Sequence, residues 1–190
     1  TGTTQLEYEV YNDDTVGITN CDNDAAGELE IPAEIDRKPV TSIGGGAFGG
    51  CSSLTTIMIP NGVTSIGGES FSECTSLTEI TIPDSVTRIW DFAFSGCTSL
   101  RKITIPDSVT SIEELAFSGC SSLAEITIPD SVVHIGTLAF DGTPWLEAKQ
   151  AENPLVIVNH ILINGKACTG AVIILSLIHI SEPTRHSLIS

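Results

Sequence analysis

Apolar residues in this chain come in short alternating bursts, and most bursts end at a proline. In Leu77-Thr78-Glu79-Ile80-Thr81-Ile82-Pro83, the alternation sets Ile80 and Ile82 on one side of a short strand and Thr81 on the other. Pro83 closes that strand, because its ring fixes φ and it has no N–H to offer a ladder. Val86 and Ile89 bring apolar side chains back to the inner side. Ala93 and Phe94 then read as a short helical turn that sets the ring into the interior, and Ser95-Gly96 turns the chain towards Cys97 and the next strand.

The whole block recurs. Ile59-Pro60, Ile82-Pro83, Ile105-Pro106 and Ile128-Pro129 are spaced by 23 residues, and Ile31-Pro32 precedes them by 28. Phe48, Phe71, Phe94, Phe117 and Phe140 keep the 23-residue step, as do Cys51, Cys74, Cys97 and Cys120. Self-similarity at a fixed period of this length marks a stacked solenoid. One coil cannot bury enough apolar surface to offset the entropy of ordering it, so each coil must cover its neighbours. The expected architecture is an α/β solenoid of leucine-rich repeats. It has one short parallel strand per coil, short helical turns opposite, and an N-terminal β-hairpin cap. Residues 1–28 read as the cap and 29–142 as about five coils. Residues 143–174 read as a helix and hairpin interruption leading into a truncated further repeat.

The unit I-P-D-S-V-T-x-I-x-x-x-A-F-S-G-C-x-S-L-x-x-I-T resembles the BspA-like leucine-rich-repeat family of bacterial surface proteins, and the match covers about residues 29 to 142. The flanks are similar too. Leu6 to Ile31, with Asn12-Asp13-Asp14 between its Val-containing segments, looks like the cap that precedes such repeats. Thr143-Pro144-Trp145-Leu146-Glu147 followed by Asn153-Pro154 looks like the helix that interrupts them. The resemblance implies an extracellular or surface-attached bacterial protein from a family linked to adhesion to host proteins and other cells. It supplies no family-wide catalytic residues. After Ile174 the pattern departs: Leu175 to Arg185 resembles a translated sequencing adapter, so residues 175–190 are expected to be an artefact tail and the natural protein to be longer.

Charge narrows the partners. With 24 Asp and Glu against 8 Lys and Arg, the net charge is -16, which argues against nucleic acid, whose binding needs a basic face, and against anionic membranes. The longest apolar stretch, Ala171 to Ile180, has ten residues against the roughly 20 of a spanning helix, so no membrane insertion is expected. No charged and apolar leader follows Thr1, which is expected of a processed or partial chain.

Candidate chemistry is sparse. The in-register cysteines lack the close pairs of a zinc site, and stacking one coil apart holds their Cβ atoms beyond disulfide reach, so they read as buried thiols. Cys21 and Cys168 fall outside the register, at opposite ends. Asp84, Asp107 and Asp130 could form a calcium ladder, but Ala33 and Asn61 interrupt the column, and Pro-Asp turn chemistry is the plainer reading. No metal or cofactor is expected. His134 occupies the column of Ser42, Ser65, Arg88 and Ser111, and His160 lies in a hairpin turn; no nucleophile or phosphate motif accompanies either. An enzyme is not expected.

Two surfaces remain. The outward strand positions are Glu28 and Glu30, Thr56 and Met58, Glu79 and Thr81, Lys102 and Thr104, and Glu125 and Thr127. They form a Thr-rich, mildly acidic face of the kind solenoids use for partners, or simply a solvated one. Trp90 breaks the column of Gly44, Gly67, Glu113 and Gly136. With Arg88 and Asp91 it forms a second candidate patch, against the plainer reading of a Trp lying along its neighbours. Phe92 is expected to pack on Leu115 and Leu138. The expected function is a cell-surface binding or adhesion module recognising a host or neighbouring-cell protein or glycan. A rigid spacer and a targeting module of a secreted hydrolase are the alternatives.

Overall fold

The structure, a computed structural model, describes residues 6–164. In chain order the strands are β1 (Leu6–Val10), β2 (Val16–Cys21), β3 (Ala26–Glu30), β4 (Glu34–Ile35), β5 (Lys38–Ile43), β6 (Ser53–Met58), β7 (Ser65–Ile66) and β8 (Glu79–Thr81). They continue with β9 (Arg88–Ile89), β10 (Lys102–Thr104), β11 (Ser111–Ile112), β12 (Glu125–Thr127) and β13 (His134–Ile135). Helix α1 (Pro144–Glu152) follows, then β14 (Val156–Val158) and β15 (Ile161–Asn164). Cys168 and the suspected tail lie outside the described residues.

β1 and β2 form an antiparallel hairpin, and β2 then pairs in parallel with β5, so the hairpin caps the first coil. From there each coil contributes two short strands rather than the expected one. One series runs β3–β6–β8 and β10–β12, the other β5–β7 and β9–β11–β13. Between coils every pairing is parallel and joins equivalent residues, as in Thr56 with Glu79, Lys102 with Glu125, and Ser111 with His134.

The turn opposite is not helical, so α1 is the only α-helix among the described residues and the fold is a β-solenoid. The reason lies in one column: Gly46, Glu69, Phe92, Leu115 and Leu138 all have positive φ, between 55° and 69°. A left-handed residue stops a right-handed helix before it completes a turn. Backbone bonds therefore run along the solenoid axis instead. Phe71, Phe94 and Phe117 donate their N–H groups to Ala93, Ala116 and Ala139 of the next coil at 2.7–2.8 Å.

This turn places the core. Phe48, Phe71, Phe94, Phe117 and Phe140 are buried and stack one upon the next, with ring centroids 5.2–5.6 Å apart and planes within 16°. Trp145, presented by α1, closes the stack against Phe140 at 5.0 Å and a 57° tilt. α1 is fixed there by Thr143, whose Oγ1 accepts from Leu146 N and donates to Phe140 O, and by Pro144 in the first turn. A thiol ladder runs alongside: Cys74, Cys97 and Cys120 each donate Sγ–H to the Phe carbonyl of the previous coil at 3.0–3.1 Å. Cys21, off register in sequence, is buried at the head of this column, its carbonyl within 4.0 Å of Cys51 Sγ. A serine ladder does similar work at the Pro-Asp-Ser turn, where Ser108 and Ser131 donate to Val86 and Val109 carbonyls at 2.6 and 2.8 Å.

Both strand series open at the coil that carries Trp90. β8 bonds backward to β6 but not forward to β10, and β9 bonds forward to β11 but not backward to β7. A bare Cβ in the Trp90 column does not cause the opening, because Glu113 keeps its bond to Ile89 O at 2.8 Å. The Phe stack and the turn bonds pass through this coil uninterrupted.

Candidate binding surfaces

The first surface grows from residues 88–92. Exposed Arg88 opens β9, and its guanidinium lies 4.7 Å from the centroid of the Trp90 ring, within cation–π range. Trp90 is 40 % exposed and Phe92 37 %, so both aromatics face solvent in a molecule with few exposed rings. In the column it shares with Leu115 and Leu138, Phe92 is the most open: both leucines are half-buried.

Arg88 is also held from its other side. Its Nε lies 3.3 Å from Glu113 Oε1, and Glu113 Oε2 lies 3.4 Å from His134 Nε2. Ser111 sits between Arg88 and His134 in the parallel register, only 5 % exposed, with its hydroxyl unpartnered. Asp91 plays a structural part here, its Oδ1 accepting from Glu114 N at 3.0 Å. Glu113 and Ser111 escaped the sequence reading as members of this patch. Column spacing could have found them, since Ser111 is Arg88 plus one repeat and Glu113 is Trp90 plus one repeat.

The second surface is the outer face of the β3–β6–β8 and β10–β12 strands. Glu79, Thr81, Lys102, Thr104, Glu125 and Thr127 are all exposed there, as is Met58. Lys102 Nζ pairs with Glu125 Oε2 at 3.3 Å across the ladder. Where the ladder is open, between β8 and β10, a cleft of about 440 Å³ is lined by Thr78, Glu79, Ile80, Thr81, Arg101, Lys102 and Thr104. Thr78 and Arg101 were not singled out by sequence, because each lies one residue before the alternating strand positions.

Catalytic chemistry finds little footing. His134 is exposed and engaged with Glu113, and no hydrogen bond joins it to Ser111. His160 and Asn159 form the turn of the β14–β15 hairpin with φ of 67° and 48°, the two left-handed residues a type I′ turn needs. Asn159 Nδ2 anchors that hairpin to Pro129 O and Val132 O at 2.7 and 3.1 Å. Asp84, Asp107 and Asp130 are exposed, and no group of three metal-binding side chains occurs among the described residues. No helix among them is long and apolar enough to cross a membrane.

Stacked parallel strands, a phenylalanine spine and a 23-residue step define a leucine-rich-repeat solenoid. The profile of the BspA type leucine rich repeat region matches residues 30–161 in 6 copies, and the chain belongs to that family. No curated protein sequence matches it. Among solved structures it is similar to the T. pallidum leucine rich repeat protein TpLRR, at 35 % identity and a TM-score of 0.70, over 74 % of this chain and 66 % of that one. A leucine rich cell surface protein from Faecalibacterium prausnitzii gives 28 % identity and 0.54, over 73 % and 50 %. A leucine-rich repeat protein from Bacteroides capillosus gives 30 % and 0.58, over 66 % and 94 %. The chain thus spans less than two thirds of the length of the first two.

Proposed function

We propose that this chain is a non-catalytic recognition module, extracellular or on a bacterial cell surface, that binds a partner protein or glycan through side chains displayed on the solenoid. The repeat family supports a protein-binding role, and the F. prausnitzii neighbour is itself described as a cell surface protein.

The observation that carries the reading is the Arg88–Trp90 pair. Trp and Arg are residue types that dominate binding hot spots, and here they stand exposed where other repeats have glycine or glutamate, at Trp90, and serine or histidine, at Arg88. Arg88 is held by the Trp90 ring and by Glu113 before any partner arrives, so little rotamer entropy remains to be lost on binding. The spacer alternative draws on the strand face, which among its outward residues has no Tyr or Trp anchor.

The test is an array of host matrix proteins and glycans probed with wild type and Trp90→Ala. Saturable binding to one class, weakened at least tenfold by the substitution, is the expected result. Binding to nothing would favour the spacer, and binding untouched by the substitution would move the contact to the strand face.

A further inference from the structure

The cleft between β8 and β10 is a feature that the repeat does not require. On the same face, β3 with β6, β6 with β8, and β10 with β12 all share parallel ladders. Only the β8–β10 step is open, and it is also where two basic side chains adjoin on a strongly acidic molecule. Among the described residues Lys and Arg number six: Arg37, Lys38, Arg88, Arg101, Lys102 and Lys149. Lys102 is paired with Glu125, Arg88 with Glu113, Lys38 with Asp14 and Lys149 with Glu152. Arg37 and Arg101 are exposed and have no carboxylate partner among the described residues, and of the two only Arg101 borders the cleft.

An unpaired guanidinium presents a planar fork of donors matched to a carboxylate. The cleft is also lined by Thr78, whose hydroxyl donates to Thr55 O at 3.0 Å, by Thr81 and Thr104, and by Glu79, whose carboxylate accepts hydroxyl protons. That combination suits a ligand carrying one carboxylate and several hydroxyls. A volume of about 440 Å³ is at the small-ligand end of binding clefts, which run from roughly 300 to 1,000 Å³. The flanking Glu79 and Glu125 and the net charge of -16 repel a densely anionic polymer.

We propose that this cleft binds a single carboxylated sugar residue, its carboxylate on Arg101 and its ring hydroxyls on Thr81, Thr104 and Glu79. The proposal rests on the recognition-module reading and gives it a ligand class on the strand face, separate from the Trp90 patch.

The full chain, labelled with ¹⁵N, is titrated with galacturonate and with N-acetylneuraminate. Galactose, acetate and a short acidic peptide serve as controls. The expected result is saturable shifts at the amides of Thr78 to Thr81 and Arg101 to Thr104 with at least one acidic sugar, the two arms showing which kind. Galactose and acetate should bind at least tenfold more weakly. Arg101→Gln, a change at an exposed position, should reduce the affinity at least tenfold while amides elsewhere stay in place, and Thr104→Val should weaken it less. No response to either acidic sugar, an equal response to galactose, or indifference to Arg101→Gln overturns the proposal. A response to the acidic peptide alone overturns it in favour of a protein carboxylate. Trp90-dependent capture on the array, together with a silent cleft, would sink this proposal and leave the recognition module standing.

Discussion

The Phe94 column and the Trp90 column pass through the same coils under opposite rules. In the first, every coil supplies the same ring, buried, at a spacing of 5.2–5.6 Å. In the second the occupants are Gly44, Gly67, Trp90, Glu113 and Gly136, and the indole is 40 % exposed. The first column is held constant by packing, because any coil with a smaller ring would leave both neighbours in contact with a void. The second can vary because its side chains end in solvent. A solenoid of this kind separates what holds it together from what it can display, and it does so within a single coil.

The largest expected effect is in the constant column. Phe94→Ala should cost about 3–5 kcal/mol in urea unfolding, since it opens a cavity between Phe71 and Phe117. A loss below about 1 kcal/mol would place the ring outside the load of the core and dissolve the contrast.

The variable column has its own limits, and Gly136 sets one. A Cβ added there would lie 2.5 Å from Glu114 N, a backbone atom that cannot swing aside. Gly136→Ala should therefore cost about 1–3 kcal/mol by the same assay. A neutral result would show that coils can slide apart at this point at no cost.

Alkaline pH probes the thiol ladder next. Burial, and then the neighbouring Cys51, push the Cys74 thiol up to about 12 from the ordinary 9.0. The folded value is the higher one, so this contribution is complete below pH 9 and is lost as pH rises from there towards 12. At pH 10 the loss should be on the order of 1 kcal/mol. Comparing wild type with Cys74→Ala at pH 8 and pH 10 isolates it from Lys and Tyr titration. An identical pH response in the two proteins would mean that the thiol is not held in the buried state described.

The smallest effect belongs to the display residues. Arg88→Ala removes an exposed ion pair and a cation–π contact, each worth about 1 kcal/mol or less at exposed sites, and the unfolding midpoint should scarcely move.

Much of this was legible before any coordinates. The 23-residue step in Phe and Cys names the columns that meet in the core, because stacking brings equal positions together. Thr143-Pro144 marks the start of α1 through ordinary capping chemistry. The helical turn was misread because an apolar pair such as Ala93-Phe94 is compatible with a helical turn that buries the ring, whereas the conformation is decided by a left-handed φ of 55° at Phe92. Nothing in a Phe or Leu side chain announces that conformation, and only Gly46 in the same column hints at it. The cleft was invisible for a different reason. It depends on whether adjacent strands complete their ladders, and β8 and β10 have nearly the same sequence pattern as the pairs that do.

Whether stability and recognition reside in different columns is read most directly from Trp90→Ala on one sample. Its unfolding free energy and its affinity for the partner captured on the array would be measured together. With separate columns, the stability change stays below about 1 kcal/mol and the affinity falls at least tenfold. A stability loss of several kcal/mol with affinity unchanged would make Trp90 part of the scaffold and contradict that separation.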